Sequence, residues 1–300
     1  MLRSGISLDQ IETMLAVVES QSFSAAARQL GRAQSAVTYA IHKLEEQLGC
    51  ILFDRTPYRP TLTEAGKSLL PYVRGLAGEA ANLAAQARAI EKGIEPTLAI
   101  VVDAMFPVQR LIVALSEWSE HFPTVTPRIF MEPMGTSARL LLDGVAQIGL
   151  LVEFSPRYEQ FDRRPLGSVE LVLVAGAHHP LAMMDQALPA HELRRHVQLV
   201  LTDRSGMTGD RDEGVLSART WRLGDLTAKH QMLRAGLGFG SMPLHWVEDD
   251  LRNGVLKLLT REEDLSQPGP LHLSLCSAVV QGATPGPAEK YFLQVIHQTS

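Results

Sequence analysis

Cysteine is scarce: the 300-residue chain has two, Cys50 and Cys276, far apart and in no CxxC pair. That excludes a disulfide scaffold, argues against a zinc or redox motif, and fits a reducing compartment. No stretch approaches eighteen consecutive apolar residues; the nearest, around Gly144 to Val152, is short and interrupted. The opening MLRSGISLDQ lacks the apolar core of a signal peptide, so a cytoplasmic protein with no membrane partner is expected. What is present is ordinary globular composition, 45% hydrophobic and 20% charged, which excludes disordered and collagen-like classes. The length exceeds what one core usually organises and predicts two domains or slightly more.

The net charge of −5 gives no general attraction to nucleic acid, but its distribution is uneven. Residues 1–60 are neutral, residues 61–90 carry +1, and residues 91–300 carry −6. Gln21 to Leu44 contains no acid, while Arg28, Arg32 and Lys43 make it +3. An acid-free stretch beside an acidic bulk is the asymmetry of a small anion-binding module on a larger body.

Within that module Ser7 and Gln10 form a capping box ahead of Leu8, Ile11, Leu15 and Val18, which recur at helical spacing over 8–20. A turn at Gln21–Ser24 leads into the helix former Ala25–Leu30, stopped by Gly31. A third helix, Gln34 to Leu48, buries Val37, Ile41, Leu44 and Leu48. On its other face Ser35, Thr38, Tyr39 and His42 form one stripe of hydrogen-bonding groups without a carboxylate, whereas Lys43, Glu45 and Glu46 read as solvated. Short donors on the second helix of a helix-turn-helix suit a major groove; the bland alternative is a solvated helical face. Ile51-Leu52-Phe53, then a basic, proline-bounded loop from Asp54 to Thr61, reads as a wing whose Arg55 and Arg59 reach phosphates.

Residues 8–66 resemble the winged helix-turn-helix of the LysR-type transcriptional regulators. The resemblance rests on Phe23-Ser24-Ala25-Ala26-Ala27 with Leu30-Gly31, Gln34-Ser35-Ala36-Val37-Thr38, Ile41, Leu44-Glu45, Leu48-Gly49, Leu52-Phe53, Arg55 and Leu62-Thr63-Glu64-Ala65-Gly66. It implies that 34–48 is the DNA-reading helix, with Gln34, Ser35, Thr38 and Tyr39 nearest the bases and Arg32 and Arg55 at the phosphate backbone. Ser35 stands where many members have proline, and Thr38 where serine is commoner.

From Thr63 onward Leu69, Val73, Leu76, Ala80, Leu83, Ala87 and Ile90 are spaced 4, 3, 4, 3, 4, 3. That heptad predicts a helix packed on a partner helix, against the alternative of a stripe lying on its own domain. Pro71 should bend it near its start. Dimerisation implies a roughly palindromic site.

After Pro96 strands and helices alternate. Strands are expected at Leu98–Val102, Arg128–Glu132, Gln147–Val152, Val169–Val174, Gln198–Leu201 and Leu271–Cys276, with helices at Pro107–His121, Ser137–Gly144, near His191, at Leu226–Ala235 and at His245–Asn253. This pattern predicts a parallel, doubly covered sheet. The chain should leave one lobe near Pro165–Gly167 and return near Gln267–Pro270, giving two lobes and a cleft. Phe122-Pro123, Leu141–Gly144, Ile148–Leu150, His179–Ala182 and Gly236–Pro243 are similar to the same family's effector domain, which resembles periplasmic binding proteins.

The expected architecture is therefore α+β and multi-domain. A winged head (1–62) and a dimerising linker helix (63–92) precede a two-lobed α/β domain (96–300), with lobe I at 96–166 and 269–300 and lobe II at 167–268. Ligands sit outside the carboxyl ends of strands in open parallel sheets. That places candidate pocket residues at Asp103, Ala104, Met105, Gly135, Thr136, Ser137, Glu153, Phe154, Thr202 and Asp203. The family often has serine or threonine where Asp103-Ala104 stands here, and an acid there disfavours multi-anionic effectors. Alternatively, Asp103 pairs with Arg110 or Arg128 or caps the next helix.

Other motifs fail. His191 and His196 are five apart rather than the four that aim both at one metal, and no GxSxG, P-loop or dinucleotide GxGxxG is present. Gly236, Gly238 and Gly240 read as close packing, and Trp118, Trp221 and Trp246 as partial core. No catalytic residue, metal or cofactor is expected. The resemblance implies a homotetramer on an interrupted inverted repeat of double-stranded DNA, a small-molecule effector and, for an activator, RNA polymerase. The rival reading is a cytoplasmic enzyme or solute-binding protein with an accessory head.

Overall fold

The computed structural model describes residues 5–56, 59–153, 159–184, 186–202, 205, 214–265 and 271–299. The chain divides into two compact units, Met1–Lys92 and Gly93–Ser300.

In the first unit Ser7 caps α1 (Leu8–Ser20): its hydroxyl accepts the Gln10 N–H at 3.3 Å, and the Gln10 side chain accepts the Ser7 N–H at 2.8 Å. Ser22 caps α2 (Phe23–Gln29), and α3 (Gln34–Leu48) ends on Gly49. Met14, Val17, Ala26, Val37, Ile41, Leu44 and Leu52 close one core. Each large side chain among them contributes about 1.5–3 kcal/mol. The wing is shorter than the sequence suggests: β1 (Phe53–Asp54) pairs antiparallel with β2 (Thr61–Leu62), while Ile51 is exposed. Pro57 and Tyr58 of its loop lie outside the described residues.

Thr63 caps α4 (Glu64–Glu91), accepting the Gly66 N–H at 3.0 Å, and the helix runs through Pro71. Its first two seam positions correct the heptad reading. Val73 is buried in the head's own core and Leu69 packs against it, because α4 leaves the wing alongside α1. Beyond them Leu76, Leu83 and Ile90 are 52%, 73% and 60% exposed; Ala87 is exposed and Ala80 half-buried.

The second unit runs β3 (Thr97–Asp103), α5 (Val108–His121), β4 (Thr126–Glu132), α6 (Gly135–Leu142), β5 (Ile148–Val152) and the long β6 (Phe161–Gly176). There follow α7 (Ala190–Leu193), β7 (Gln198–Leu201), β8 (Thr220–Leu223), α8 (Leu226–Arg234), β9 (Phe239–Pro243), α9 (Leu244–Arg252), β10 (Leu256–Leu258), β11 (Leu271–Val280) and α10 (Pro287–Gln298). Among the described residues these strands make one sheet in the order β4-β3-β5-β11-β6-β9-β7-β8, with β10 on β6. The sheet is mixed, which corrects the expected parallel one. β3 pairs parallel with β4 and β5, and β7 with β8 and β9, but β11 is antiparallel to β5 and β6. The reason is topological: β6 carries the chain out to the far lobe and β11 carries it back, so they must run oppositely.

The crossing has a defined irregularity. Leu275 pairs with Gly167 but Cys276 pairs with Pro165, so Leu166 is an extra residue on β6, and Gly167 takes φ 94°. Arg110 of α5 donates to the Leu166 carbonyl at 2.6 Å and to the Ile296 carbonyl at 3.4 Å. The return segment expected at Gln267–Pro270 lies outside the described residues. Two glycines of the 236–240 run do pack closely, since a Cβ on Gly238 or Gly240 would meet the Val197 or Leu199 carbonyl at 2.5 or 2.6 Å. Trp118 is fully buried, donating to the Ala288 carbonyl of α10 at 3.0 Å. Trp246 is half-buried, whereas Trp221 is 47% exposed on the edge strand β8 and so is not core.

Candidate nucleic-acid interface and effector cleft

α3 separates its two faces cleanly. Val37, Ile41 and Leu44 are buried, while Gln34, Ser35, Tyr39 and His42 are exposed and Thr38 half-exposed. These five line one shallow concavity, from which Tyr39 projects with 69% exposure. Ala33 at the N-cap supplies no side-chain acceptor to the first turn, so the helix end keeps its positive character open to an anion. The acid-free character ends at His42, whose Nδ1 lies 3.3 Å from Glu46; Lys43 also holds Glu46, at 3.0 Å, and keeps its carboxyl below the usual range.

The flanking cations are positioned rather than loose. Arg32 pairs with Asp9 of α1, which holds the Asp9 carboxyl below its ordinary range. Arg55 lies 4.9 Å from the centroid of the Phe23 ring and 3.3 Å from Glu45, and its side chain stays 41% exposed. Arg59 is exposed on the wing. Glu45, read from sequence as a solvating residue, is only 11% exposed in its side chain. Its Oε1 accepts the Leu52 and Phe53 N–H groups at 2.8 and 3.2 Å, and its Oε2 takes Arg55. One carboxylate thus ties α3 to the wing. The signal available in sequence was its place beside the buried Ile41–Leu44 stripe, one residue off the core.

In the second unit the candidate pocket residues do not form one set. Asp103, at the carboxyl end of β3, is 1% exposed. Its Oδ1 accepts the Met105 N–H at 2.9 Å, a turn two residues long, while Oδ2 is buried without a hydrogen-bond partner. Burial pushes this carboxyl up to about 7, against the opposing pull of the Met105 N–H that it accepts and of the Met134 N–H and Ser137 hydroxyl, which lie close by without reaching hydrogen-bond geometry. It pairs with neither arginine considered: Arg110 gives both Nη groups to carbonyls, its Nε buried without a partner, and Arg128 lies over the Phe130 ring. Of the alternatives, the local turn ahead of α5 is the one realised.

Met105 is buried in the core and Ala104 packs against it. Ser137 is fully buried and donates to the Met134 carbonyl at 2.7 Å; Gly135 is buried beside it. Thr136 is half-exposed, but its Oγ1 is buried without a partner. Glu153 pairs with Arg163 at 2.5 Å and lines a separate hollow with Pro165, Gly167 and Ser274–Cys276, so it is not brought to Asp103. In that hollow burial pushes the Cys276 thiol up to about 12, which makes it unreactive. Thr202 is half-buried at the end of β7, its N–H on the Leu223 carbonyl; Phe154 and Asp203 lie outside the described residues. No group of three or more metal-ligating side chains occurs among the described residues.

Two family descriptions match this chain: the bacterial regulatory helix-turn-helix protein of the lysR family over residues 8–67, and the LysR substrate binding domain over residues 91–300. The chain belongs to the LysR family of transcriptional regulators. Among its relatives, the HTH-type transcriptional regulator AceR of Acinetobacter baumannii is 30% identical over 271 residues, 85% of each chain. The HTH-type transcriptional regulator PunR of Escherichia coli is 28% identical, covering 95% of this chain and 91% of its own. Solved structures share the fold. A full-length BenM mutant has a TM-score of 0.51 at 20% identity, covering 97% of this chain and 95% of that one. Full-length LysG of Corynebacterium glutamicum, with bound effector Arg, has 0.50 at 19%, covering 98% and 97%. The LysR regulator thus has a DNA-binding head and an effector-binding domain, and none of its described helices is long and apolar enough to cross a membrane.

Proposed function

We propose that this LysR regulator reads an interrupted inverted repeat of duplex DNA with paired copies of α3, and that a small molecule between its lobes sets its activity. The observation that carries the reading is the exposed, carboxylate-free stripe Gln34–Ser35–Thr38–Tyr39. Short donors there suit base edges, while Arg55, Arg59 and the uncapped helix end suit phosphates. Arg32 would reach DNA only by sharing or leaving Asp9. The exposed Leu76, Leu83 and Ile90, with Ala80 and Ala87 between them, fit the seam of a dimer, and two dimers would make the tetramer. The head is then 1–62, the linker 63–92 and the effector domain 96–300, working in the cytoplasm, without enzymatic activity, and touching RNA polymerase when it activates.

The effector acts by population shift, binding one lobe arrangement more tightly than the other. Asp103, Thr136 and Thr202 are the side chains best placed to meet it; Ala104, Met105 and Ser137 build the floor beneath. A footprint of the promoter beside the gene tests the reading. Protection of two half-sites about one helical turn or a multiple apart is expected, and loss of protection on Tyr39→Ala with unchanged head folding supports the assigned face. Protection unchanged by Thr38→Ala and Tyr39→Ala together overturns it.

A further inference from the structure

Two acidic side chains at the strand ends of lobe I have no cation of the protein beside them. Asp103 and Glu132 share one register position at the carboxyl ends of β3 and β4. Among the described residues neither makes an ion pair: Arg110 holds carbonyls, Arg128 lies over Phe130, and Arg139 pairs with Asp143. The other acid at these strand ends, Glu153, is matched by Arg163. Asp103 is the sharper case, being almost wholly buried with Oδ2 unpartnered. The neighbouring Ser137 hydroxyl donates instead to the Met134 carbonyl. One loop away the Thr136 hydroxyl is a second buried orphan. Between them Met134 is held at φ 50°, ψ −129°, a conformation nearly restricted to glycine.

Buried polar groups are nearly always paired, and a buried carboxylate without a cation is costly. From this juxtaposition we infer that the effector presents a cationic nitrogen, an ammonium or amidinium, to Asp103 Oδ2, with Thr136 as a second contact. The inference rests on the effector-cleft reading above. The incoming N–H supplies both the missing hydrogen bond and the missing counter-charge. Because burial holds the Asp103 carboxyl near 7, binding draws it downward and releases a proton when the solution is below that value. An anionic effector would instead meet Glu132 and, above about pH 7, an ionised Asp103, with no cation beside either.

Matched probes on the full chain test this: benzamidine against benzoate, and agmatine against succinate, each followed by thermal melting and by gel shift with the promoter DNA. Benzamidine or agmatine at millimolar concentration should raise Tm by about 2–4 °C, the carboxylates should not, and Asp103→Asn should abolish the rise. Calorimetry in two buffers should show proton release below pH 7 from the wild type. The comparison of amine with carboxylate on the wild type stands even if Asp103→Asn folds poorly. A Tm rise and altered promoter binding with carboxylates alone overturns the cationic class and leaves the cleft reading standing. A rise with amines that Asp103→Asn leaves intact overturns Asp103 as the partner. No change in melting or promoter binding from any probe overturns the inference and counts against the cleft reading as well.

Discussion

Under the proposed function, the head divides between residues that read bases and residues that place the helix. Thr38→Ala or Tyr39→Ala should weaken specific binding by about 1–3 kcal/mol per lost base contact, measured as the ratio of operator to random-sequence affinity. Arg55→Ala should weaken all sequences alike and lower the salt slope by roughly one, seen in binding titrations across salt concentrations. Glu45 is a positioning residue: two backbone N–H groups and Arg55 depend on it. In the effector domain, Asp103 makes stability fall as pH rises. Its folded carboxyl, near 7, binds a proton more tightly than the unfolded one near 3.8, so the penalty is absent below about 4 and complete above about 7. It amounts to a few kcal/mol, at about 1.4 kcal/mol for each tenfold difference in proton affinity between the folded and unfolded chain. Asp103→Asn should flatten that slope in Tm measured from pH 5 to 8, gaining most at pH 8.

At the scale of elements, α4 performs two tasks along its length. Its first turns belong to the head, where Val73→Glu would bury an unpaired charge and should unfold the head. Its later turns expose leucine and isoleucine at heptad spacing, so Leu83→Glu should leave the head folded yet dissociate dimers, read by sedimentation alongside thermal melting. The heptad was legible in the sequence because spacing alone reveals it; its division was not, because period says nothing of which neighbour lies alongside. The same limit explains the sheet. Apolar runs marked most of the strands, but the direction of β6 and β11 depends on two crossings between lobes, which leave no periodic trace. The terminal helix α10 went unread although Ala288, Phe292, Val295 and Ile296 sit at helical spacing and are buried. The turn-rich Gln281–Gly286 and the proline at its first position mask its start. Among the candidate site residues, α3 was readable because exposure there follows from the buried stripe opposite. The cleft was not, since whether Ser137 or Thr136 faces outward depends on how the loop after β4 turns over Asp103.

For the whole molecule, the division at Lys92 leaves each unit with its own apolar core. Residues 93–300 made alone should therefore fold cooperatively and keep any effector-induced Tm shift, checked by melting the fragment beside the full chain. Within that unit the extra residue at Leu166 has a mechanical consequence. Both lobes hang on one pair of long strands whose ladder slips register once, so drawing them together cannot work like a jaw swinging on loose string. It must wring β6 and β11 about their long axis, and Leu166–Gly167 is the place where the ladder already yields. Arg110, gripping the displaced carbonyl, ties that yielding point to α5, the first helix of the lobe.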